Sequence, residues 1–356
     1  MRILLTGTHF TVALATIEEL KIYDGVEIVY VGRKTTQEGD PTPSSESQIL
    51  PKLGVRFISI TTGRLQRAFT LYTVPSLIKI PIGFIQAFFI LINEAPDVIL
   101  SFGGYVSVPI VILGWLFSIP IIIHEQTLVT GLSNRISGWF ANKIAVSFKT
   151  NYDFSKDKVV LTGNPLRKEI LNAKNIKKSE KLPVILITGG NQGSHTINIA
   201  VEEVLDKLTK IANVIHQTGD AKFMDFERLE DRQNESYQVA KWIPNMGDIM
   251  KKADLVVCRA GINTLTEVAF LGIPALVIPI PYLYQDEQNR NAKYFEKLGL
   301  VRILPQSKLN GEFFLKEINS CLNDLNHFKE QARKAREVIV PDAAKRLALE
   351  TILLAI

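Results

Sequence analysis

The sequence predicts an α/β protein with two Rossmann-like domains, each built on a doubly wound parallel sheet. Short runs rich in β-branched residues alternate with segments of helical length along the chain. Many of these runs are apolar on both faces, which is typical of strands buried in a parallel sheet. At 356 residues, the chain is long enough for two domains of about 150 residues each.

The first series of predicted strands defines an N-terminal domain, residues 1–163. Its strands are Arg2–Leu5, Glu27–Val31, Val55–Ile58, Val98–Ser101, Ile119–His124, Lys143–Ser147 and Lys158–Thr162. The segment 39–47 is rich in turn-forming residues and is expected to be a surface loop. This half of the chain therefore predicts one doubly wound sheet.

The second series of strands follows a polar, lysine-rich stretch at 171–183 and defines a C-terminal domain, residues 164–340. Its strands are Val184–Thr188, Asn213–Gln217, Tyr237–Trp242, Leu255–Arg259, Ala275–Pro279 and Val301–Leu304. A terminal helix at 341–356 follows Pro341 and Asp342, and we expect it to pack back on the first domain.

The composition excludes several classes of protein. With 46% hydrophobic and 22% charged residues, 22 glycines and 16 prolines, the chain is neither disordered nor collagenous. Only Cys258 and Cys321 are present, which excludes a disulfide framework and a four-cysteine zinc site and suits the reducing cytoplasm. The net charge of +5 could favour anionic lipids, phosphates or nucleic acid, and selects none of them.

The uncharged segment Val98–Ile123 has the length of a membrane span. Pro109, Gly114 and Pro120 interrupt it, and we interpret it as a buried strand, a glycine turn, a helix over 106–117 and a second strand. The N-terminus has no charged region followed by an apolar one, so no signal peptide is predicted.

Ligands of two such domains are expected at the carboxyl ends of the strands, in a shared cleft. The loop Thr188–Ser194 follows a predicted strand and precedes a helix, and exposed amides together with the helix dipole suit a diphosphate there. A strand–glycine–helix turn is equally common as a packing feature, so both interpretations stay open. Neither domain has GxGxxG with an acid about 20 residues later, which disfavours an NAD-dependent dehydrogenase.

Two later segments carry groups that can bind a sugar nucleotide. After the strand that ends at Arg259, Gly261 turns the chain and Glu267 falls in the first turns of a helix. A carboxylate there could accept two hydrogen bonds from a ribose diol; the alternative is a solvated helix acid. The amides and acids of Gln285–Ala292 could read sugar hydroxyls; their alternative is a polar helix start.

Several short polar and glycine-containing segments are spread over both domains. They are His124–Gln126, Gly131–Arg135, Gly163–Arg167, Gly189–Gly193, His216–Gly219, Cys258–Glu267 and Asp286–Ala292. In order and spacing they resemble the MurG-type family of peptidoglycan N-acetylglucosaminyltransferases, and the resemblance runs nearly end to end. That family transfers GlcNAc from UDP-GlcNAc to undecaprenyl-diphospho-MurNAc-pentapeptide, lipid I, and has the GT-B fold of two Rossmann-like domains.

The resemblance implies a donor site in the second domain. Glu267 would hold the ribose, Gln288 and Asp286 the donor sugar, and the backbone at Ile243 the uracil edge. Arg167 and the amides of Gly189–Gly193 would hold the departing diphosphate. The implied donor set is Arg167, Gly190, Asn191, Gln192, Gly193, Ile243, Gly261, Glu267, Asp286 and Gln288. An inverting transfer of this kind needs preorganised donors where charge develops on UDP, and we expect neither a metal nor a cofactor.

The resemblance also implies an acceptor site in the first domain. Members of the family usually begin with a strand and GGxGGH before a proline; here the loop is shorter, and Val12 stands where the proline would be. The implied acceptor set is Gly7, Thr8, Gly103, Gly104, Tyr105 and Asn134. His9 is expected to be the general base or an acceptor-site residue, and Glu125 is the next candidate base. Without the resemblance, a histidine at a strand end is more often a cap or a surface residue.

A lipid-linked acceptor implies a peripheral protein on the cytoplasmic side of the cell membrane, at its inner leaflet. The segment Lys79–Phe89 places a cation beside bulky apolar residues, with Arg64 and Arg67 upstream. The alternative is a core helix, and we expect the half at 87–92 to be core. The predicted lipid-facing patch consists of Lys79, Ile80, Ile82, Phe84 and Trp115.

The sequence therefore predicts a UDP-GlcNAc-dependent hexosyltransferase of peptidoglycan synthesis that acts on lipid I and has no nucleic-acid partner. The rival predictions are a related enzyme that acts on another glycolipid, a non-hydrolysing sugar-nucleotide epimerase with the same two-domain plan, and a scaffold that binds the donor but has lost transfer. Release of UDP that depends on a lipid acceptor would distinguish them.

Overall fold

The computed structural model describes residues 1–35, 42–63, 73–174, 181–219 and 223–356. The chain divides into two compact units, of which the first comprises Met1–Arg167 and Asp342–Ile356 and the second Lys168–Pro341. The division falls after Arg167 rather than after residue 163, where the sequence placed it. Arg64 and Arg67, predicted to flank a membrane patch, and parts of the predicted loop at 39–47 and of the polar stretch at 171–183 lie outside the described residues.

The first unit is built on a seven-stranded parallel sheet in the order β3-β2-β1-β4-β5-β6-β7. Its strands are β1 (Arg2–Thr6), β2 (Glu27–Gly32), β3 (Arg56–Ser59), β4 (Val98–Ser101), β5 (Ile121–Glu125), β6 (Lys143–Val146) and β7 (Val159–Leu161). Its helices are α1 (Phe10–Leu20), α2 (Ser45–Ile49), α3 (Thr73–Glu94), α4 (Ser107–Leu116), α5 (Leu132–Phe140) and, at the end of the chain, α14 (Ala343–Ala355). Each strand predicted for this half is present, and its ends differ from the prediction by at most two residues.

The second unit is built on a six-stranded parallel sheet in the order β10-β9-β8-β11-β12-β13. Its strands are β8 (Val184–Thr188), β9 (Asn213–Gln217), β10 (Tyr237–Ala240), β11 (Leu255–Cys258), β12 (Ala275–Val277) and β13 (Val301–Ile303). Its helices are α6 (Lys168–Leu171), α7 (His195–Leu208), α8 (Asp225–Glu230), α9 (Met246–Lys252), α10 (Ile262–Leu271), α11 (Glu287–Lys297), α12 (Gly311–Asn323) and α13 (Leu325–Lys334). Two doubly wound sheets confirm the predicted fold class.

The segment that could have been a membrane span is part of the core of the first unit. It forms β4, α4 and the start of β5, as the sequence predicted. Residues of β4 and β5 alternate between two apolar layers, with Val98 and Ile122 in one layer and Ile99 and Ile123 in the other. Both faces of these strands are covered, which explains why Val98–Leu100 and Ile121–Ile123 are apolar at every position.

The terminal helix α14 belongs to the first unit although it follows the second unit in the chain. Leu347 and Ala348 are buried in the same apolar cluster as Val12 and Ala13 of α1. An ion pair of 2.8 Å between Lys143 and Glu350 adds a polar contact at the margin of this interface.

Helix α3 exposes an apolar face along its whole length. Ala87 and Leu91 are buried, but Phe88, Phe89 and Ile92 are exposed, so the prediction that 87–92 is core was wrong. The exposed residues lie at helical spacing on one face: Val74, Leu77, Ile78, Ile82, Ile85, Phe88, Phe89 and Ile92. Of the predicted patch, Ile82 and Trp115 are exposed, whereas Lys79, Ile80 and Phe84 are half-buried.

By length and composition alone, α3 is also the helix of the described residues that could cross a membrane, over Ser76–Glu94. Its two ends lead to β3 and β4, which lie in the same sheet. The side chain of Gln86 accepts a hydrogen bond of 2.7 Å from the Thr61 amide, and the buried Glu94 pairs with Arg56 at 2.9 Å. These polar contacts fix α3 along the sheet.

Candidate active site

Three loops of the first unit meet at the carboxyl ends of β1, β4 and β5. The Thr8 amide donates a hydrogen bond of 3.1 Å to the Gly103 carbonyl oxygen. A Cβ on Gly104 would lie 2.2 Å from Oγ1 of Thr8, and one on Gly103 would lie 2.7 Å from Oδ1 of Asn134. Only glycine permits so close an approach. The residues of the predicted acceptor set that these contacts bring together are Gly7, Thr8, Gly103, Gly104 and Asn134; Tyr105 follows them in the chain.

The packing of these loops also limits what they can bind. Because the Thr8 amide already donates to Gly103, it is not available to an anion. The Gly103 amide likewise donates to Oγ of Ser101 at 3.2 Å. The shortened first loop therefore offers fewer backbone donors to a diphosphate than the resemblance implied.

His9 follows this loop and immediately precedes α1. It occupies the N-cap position of α1, where its carbonyl oxygen accepts a hydrogen bond of 3.3 Å from the Ala13 amide. Its half-buried side chain makes no capping hydrogen bond, so the alternative prediction of a cap holds for the backbone only. Burial, with a smaller contribution from the Arg33 charge, lowers the pKa of His9 to about 4. At neutral pH the imidazole is therefore uncharged, which is the form that can accept a proton.

Glu125, the second candidate base, is the last residue of β5 and only 3% exposed. Its Oε1 accepts hydrogen bonds from the amide and the hydroxyl of Thr127, and its Oε2 accepts from the Gly131 amide and from Nδ2 of Asn134. Burial raises the pKa of this carboxyl group. A buried carboxylate with these four donors organises the loop after β5, and the role of Glu125 as a base stays a prediction.

His124, which precedes Glu125, is also fixed by the structure. Its Nε2 lies 3.1 Å from the carbonyl oxygen of Gly163 and 3.3 Å from Oγ of Ser147. The side chain is buried, which lowers the pKa of His124 to about 4. Its role is to tie β5 to the strands beside it.

In the second unit, the loop Thr188–Ser194 connects β8 to α7. The Gly190 amide donates to Oγ1 of Thr188 at 3.0 Å, and the Gly193 amide donates to the Gly190 carbonyl oxygen at 3.0 Å. The amides of these two glycines are therefore not available to a diphosphate, contrary to the sequence prediction. Asn191 and Gln192, at the tip of the turn, are exposed.

One of the two backbone groups of Ile243, predicted to bind the uracil edge, is already hydrogen-bonded within the protein. The Ile243 amide donates a hydrogen bond of 2.9 Å to Oε1 of Gln217, which leaves the Ile243 carbonyl oxygen to face a nucleobase. Nε2 of Gln217 in turn donates to the Gly190 carbonyl oxygen at 3.1 Å. Sequence reasoning gave Gln217 no role. Its position as the last residue of β9, beside the glycine turn of the adjacent strand, was the available signal.

Glu267 and Gln288 are the predicted donor residues whose environments are most informative. Glu267 lies in α10, after Gly261, and is only 4% exposed, so the alternative prediction of a solvated helix acid was wrong. Oε1 of Gln288 accepts a hydrogen bond of 3.0 Å from the Ile280 amide, so its Nε2 is the atom left to donate to a sugar hydroxyl. Asp286 is exposed and accepts a hydrogen bond of 2.5 Å from Nδ2 of Asn289.

Arg259 is a functional candidate that the sequence analysis named only as the end of a strand and to which it gave no function. From the carboxyl end of β11, its Nε donates to Oγ of Ser194 at 3.1 Å and its Nη2 to Oγ1 of Thr196 at 2.6 Å. Its Nη1 donates to the Ile278 carbonyl oxygen at 2.9 Å. The guanidinium is thereby held at the start of α7. An arginine directly after a buried strand was the signal that could have identified it.

Arg167, assigned to the donor diphosphate, is half-buried and is the last residue of the first unit, whereas the other donor residues belong to the second. Its role stays a prediction. Among the described residues, no three His, Cys, Asp or Glu side chains come together as a metal site would require.

Comparison with known proteins assigns both halves of the chain. Residues 6–146 match the glycosyltransferase family 28 N-terminal domain, and residues 184–347 match the glycosyltransferase family 28 C-terminal domain. A relative from Geobacter sulfurreducens is 33% identical, with 98% of this chain and 96% of the relative covered. One from Halalkalibacterium halodurans is 32% identical, with 96% and 95% covered. Both are named UDP-N-acetylglucosamine–N-acetylmuramyl-(pentapeptide) pyrophosphoryl-undecaprenol N-acetylglucosamine transferase.

Solved structures agree with this assignment. MurG from Acinetobacter baumannii is 26% identical, with 99% of both chains covered and a TM-score of 0.77. A UDP-GlcNAc 2-epimerase from Neisseria meningitidis, bound to UDP-GlcNAc, has a TM-score of 0.65 at 15% identity and covers 99% of this chain and all of its own. The second similarity concerns the fold alone.

Proposed function

The chain belongs to glycosyltransferase family 28 and, within it, to the MurG-type N-acetylglucosaminyltransferases, and from this premise we propose that it transfers GlcNAc from UDP-GlcNAc to lipid I. The transfer inverts the anomeric centre and gives lipid II, the precursor of peptidoglycan. The observation that supports this activity best is the position of Glu267 in the second unit. It is 4% exposed and lies in α10, the helix that follows Gly261 at the carboxyl end of β11, and ligands of parallel sheets bind at the carboxyl ends of the strands.

The second unit binds the donor. Glu267 accepts hydrogen bonds from the ribose hydroxyls, and the Ile243 carbonyl oxygen accepts one from the uracil. Nε2 of Gln288 donates to a hydroxyl of GlcNAc, since its Oε1 is held by Ile280. Arg259, fixed by two hydroxyl groups at the start of α7, supplies positive charge to the departing UDP diphosphate.

The first unit binds the acceptor and supplies the base. Neutral His9 takes the proton of the acceptor hydroxyl as the hydroxyl oxygen attacks the anomeric carbon. The bond from that carbon to the UDP oxygen breaks on the opposite face, and the electron pair leaves with UDP. The helix N-terminus and the arginine of the second unit stabilise the charge that develops there.

Transfer is tested by incubating the protein with UDP-GlcNAc and lipid I and following both UDP release and the disaccharide product. We expect UDP release only when lipid I is present. UDP release with a different glycolipid but not with lipid I would identify the related transferase. Formation of an epimerised sugar nucleotide with no net release of UDP and no need for a lipid acceptor would identify the epimerase, and donor binding without turnover would identify the scaffold.

The exposed apolar face of α3 supports attachment to the cytoplasmic side of the cell membrane. This face extends onto the end of α4, where Trp115 and Leu116 are exposed. Since α3 connects two strands of one sheet and its Gln86 and Glu94 are held by the rest of the unit, the helix lies in the plane of the interface rather than across the bilayer. The attached protein is peripheral.

Membrane attachment is tested by co-sedimentation with phosphatidylglycerol vesicles. Replacing Ile85 and Phe89, which are 59% and 57% exposed, by serine should reduce binding and leave the circular dichroism unchanged. Ile22→Ser is the matched control, because Ile22 is an exposed isoleucine of the same unit that is not on α3. Equal binding of the double variant and the control would contradict the assignment of this face. Failure of carbonate washing to extract the wild type would favour a spanning helix.

A further inference from the structure

A cation lies at the carboxyl edge of the first sheet, beside the candidate base. Arg33 directly follows β2, which pairs with β1, the strand that leads into Gly7, Thr8 and His9. Its charge is close enough to His9 to contribute to the lowered pKa of the imidazole. Sequence reasoning did not single out Arg33, because nothing in the pattern around it predicts which residues lie nearby.

Arg33 is held in place by the segment around α2. Its Nε lies 3.4 Å from Oε1 of Glu46, whose side chain is only 3% exposed. Oγ of Ser44, the N-cap of α2, donates to the Arg33 carbonyl oxygen at 2.7 Å and accepts a hydrogen bond from the Ser47 amide at 3.2 Å. Both the backbone and the guanidinium of Arg33 are therefore positioned by the same short segment.

The position of Arg33 relative to the first loop is fixed as well. Tyr30 of β2 is fully buried, and its hydroxyl group donates a hydrogen bond of 3.0 Å to the Gly7 carbonyl oxygen. This bond ties the strand that precedes Arg33 to the loop that precedes His9. The pair with Glu46 runs through Nε and does not use the two terminal nitrogens of the guanidinium; within the described ranges, neither has a hydrogen bond or ion pair. A guanidinium with two adjacent free nitrogens is suited to bind a phosphate in a bidentate manner.

The loops beside Arg33 need such a group. The amides of Thr8 and Gly103 both donate within the protein, so they cannot donate to an anion. The acceptor of the proposed reaction carries a diphosphate, whose negative charge must be met by positive charge or by N–H donors. An arginine paired with a buried carboxylate at this edge of the sheet supplies both positive charge and N–H donors.

We propose that Arg33, positioned by Glu46, binds the diphosphate of the lipid-linked acceptor beside His9, in place of amides that the shortened first loop does not offer. This inference rests on the proposed function. In it, Arg33 is a binding residue and Glu46 a positioning residue, and neither takes part in bond making or proton transfer.

Steady-state kinetics with lipid I as the varied substrate test the role of Arg33. Arg33→Gln should raise the KM for lipid I by about 10- to 100-fold, the size of a lost charge-assisted hydrogen-bond pair, while the KM for UDP-GlcNAc stays near wild type. Arg33→Lys should retain part of the affinity, because the charge remains but the bidentate geometry does not. An unchanged KM for lipid I in Arg33→Gln, in an enzyme that turns over, would overturn the inference and leave the proposed function intact.

Arg56→Gln is the matched control for this experiment. Arg56 also pairs with a buried glutamate of the first unit, Glu94, at 2.9 Å, but it begins β3 and therefore lies at the opposite edge of the sheet. Its loss should leave both KM values unchanged. If Arg56→Gln raised the KM for lipid I as much as Arg33→Gln did, the effect would reflect a damaged fold rather than a diphosphate site.

Glu46→Gln tests the positioning residue. We expect it to raise the KM for lipid I by a smaller factor than Arg33→Gln, with the KM for UDP-GlcNAc unchanged, because the arginine keeps its charge but loses its orientation. Thermal unfolding measured in parallel separates the two explanations. A lower melting temperature with both KM values unchanged would mean that Glu46 only stabilises the fold.

A binding experiment decides the inference even if the wild type does not act on lipid I. Inorganic pyrophosphate is titrated into histidine-labelled protein that is saturated with UDP, and the His9 ring resonances are followed by NMR; the chain has only 5 histidines, so their assignment by substitution is practical. Pyrophosphate should shift the His9 resonances saturably in the wild type and much less in Arg33→Gln. An equal response in both proteins would overturn the inference, whereas absence of transfer by the wild type would overturn only the proposed function.

Discussion

Substituting Gly193 by alanine is expected to damage the donor loop far more than the same substitution at Gly190. Both glycines have positive φ angles, +76° at Gly193 and +83° at Gly190. A Cβ on Gly193 would lie 1.9 Å from the Thr218 carbonyl oxygen and 3.0 Å from Cα of Gly219. A Cβ on Gly190 would have no atom within 4 Å. The two positions share the backbone strain and differ only in the contact.

The expected losses in the free energy of unfolding follow from two contributions, the backbone strain and the steric contact. Holding alanine in the left-handed region costs about 1 to 2 kcal/mol, and this applies to both variants. Forcing a methyl group against backbone atoms costs about 1 to 3 kcal/mol more, and this applies to Gly193→Ala alone. The free energy of unfolding should therefore fall by about 1 to 2 kcal/mol in Gly190→Ala and by about 2 to 5 kcal/mol in Gly193→Ala.

The assays are urea denaturation and calorimetric titration with UDP. In Gly193→Ala the turn that leads into α7 must move away from Thr218, so UDP affinity should fall by about tenfold or more, equivalent to about 1.4 kcal/mol. In Gly190→Ala it should change by less than about threefold, since that turn has room for the methyl group. Equal losses of stability in the two variants would refute the contact argument. Unchanged UDP affinity in Gly193→Ala would refute the proposal that the UDP diphosphate lies at the start of α7.

Three further predictions test the donor site, the base and the buried histidines. Glu267→Ala should weaken UDP binding by about 1.5 to 3 kcal/mol in calorimetry, because the ribose diol loses a charged acceptor, whereas Gln288→Ala should weaken UDP-GlcNAc binding more than UDP binding. His9→Ala should reduce turnover by about 10² to 10⁴-fold with UDP-GlcNAc binding near wild type, and a reduction below about threefold would remove His9 from the mechanism. Burial lowers the pKa of His124 to about 4 and that of His216 to about 3, from the ordinary histidine value of about 6.5. Below about pH 6.5 the unfolded chain therefore binds more protons than the folded chain. Stability should therefore fall as the pH is lowered from about 6.5 to 4, by about 3 kcal/mol for His124 alone, and His124→Gln should show a smaller loss between pH 7 and pH 5 in urea denaturation.

Local pattern was sufficient for the strands and for the fold class. The runs at 98–101, 184–188 and 213–217 are strands with the predicted bounds. The first two are apolar up to their last residue, as expected of parallel strands covered on both faces. The same reasoning correctly separated Val98–Ile123 from a membrane span, since Gly103 and Gly104 turn the chain after β4 and Pro120 precedes β5, whereas Pro109 and Gly114 lie within α4.

The local sequence pattern did not predict correctly which residues of α3 are exposed. An apolar helix can be buried in a core or can expose its face, and composition is the same in both cases. The prediction placed 87–92 in the core, yet Phe89 and Ile92 are exposed and only one side of the helix, with Ala87 and Leu91, meets the sheet. Which face is covered depends on how the helix is oriented on the strands, and that orientation is set by distant contacts such as Gln86 with Thr61.

The sequence by itself determined the two parallel sheets, the position of the glycine turns and the residue types at the strand ends, because these depend on periodicity and on neighbours along the chain. Only the tertiary structure decided which polar groups remain available for a ligand. Glu125 and the Gly190 amide are engaged within the protein, whereas Arg33 and Arg259 are held at the strand ends by residues far from them in sequence. The physical reason is that a buried donor or acceptor must find a partner. That partner can lie in the same turn, as Thr188 does for the Gly190 amide, or in a loop distant in sequence, as Ser194 does for Arg259, and only the folded chain decides which.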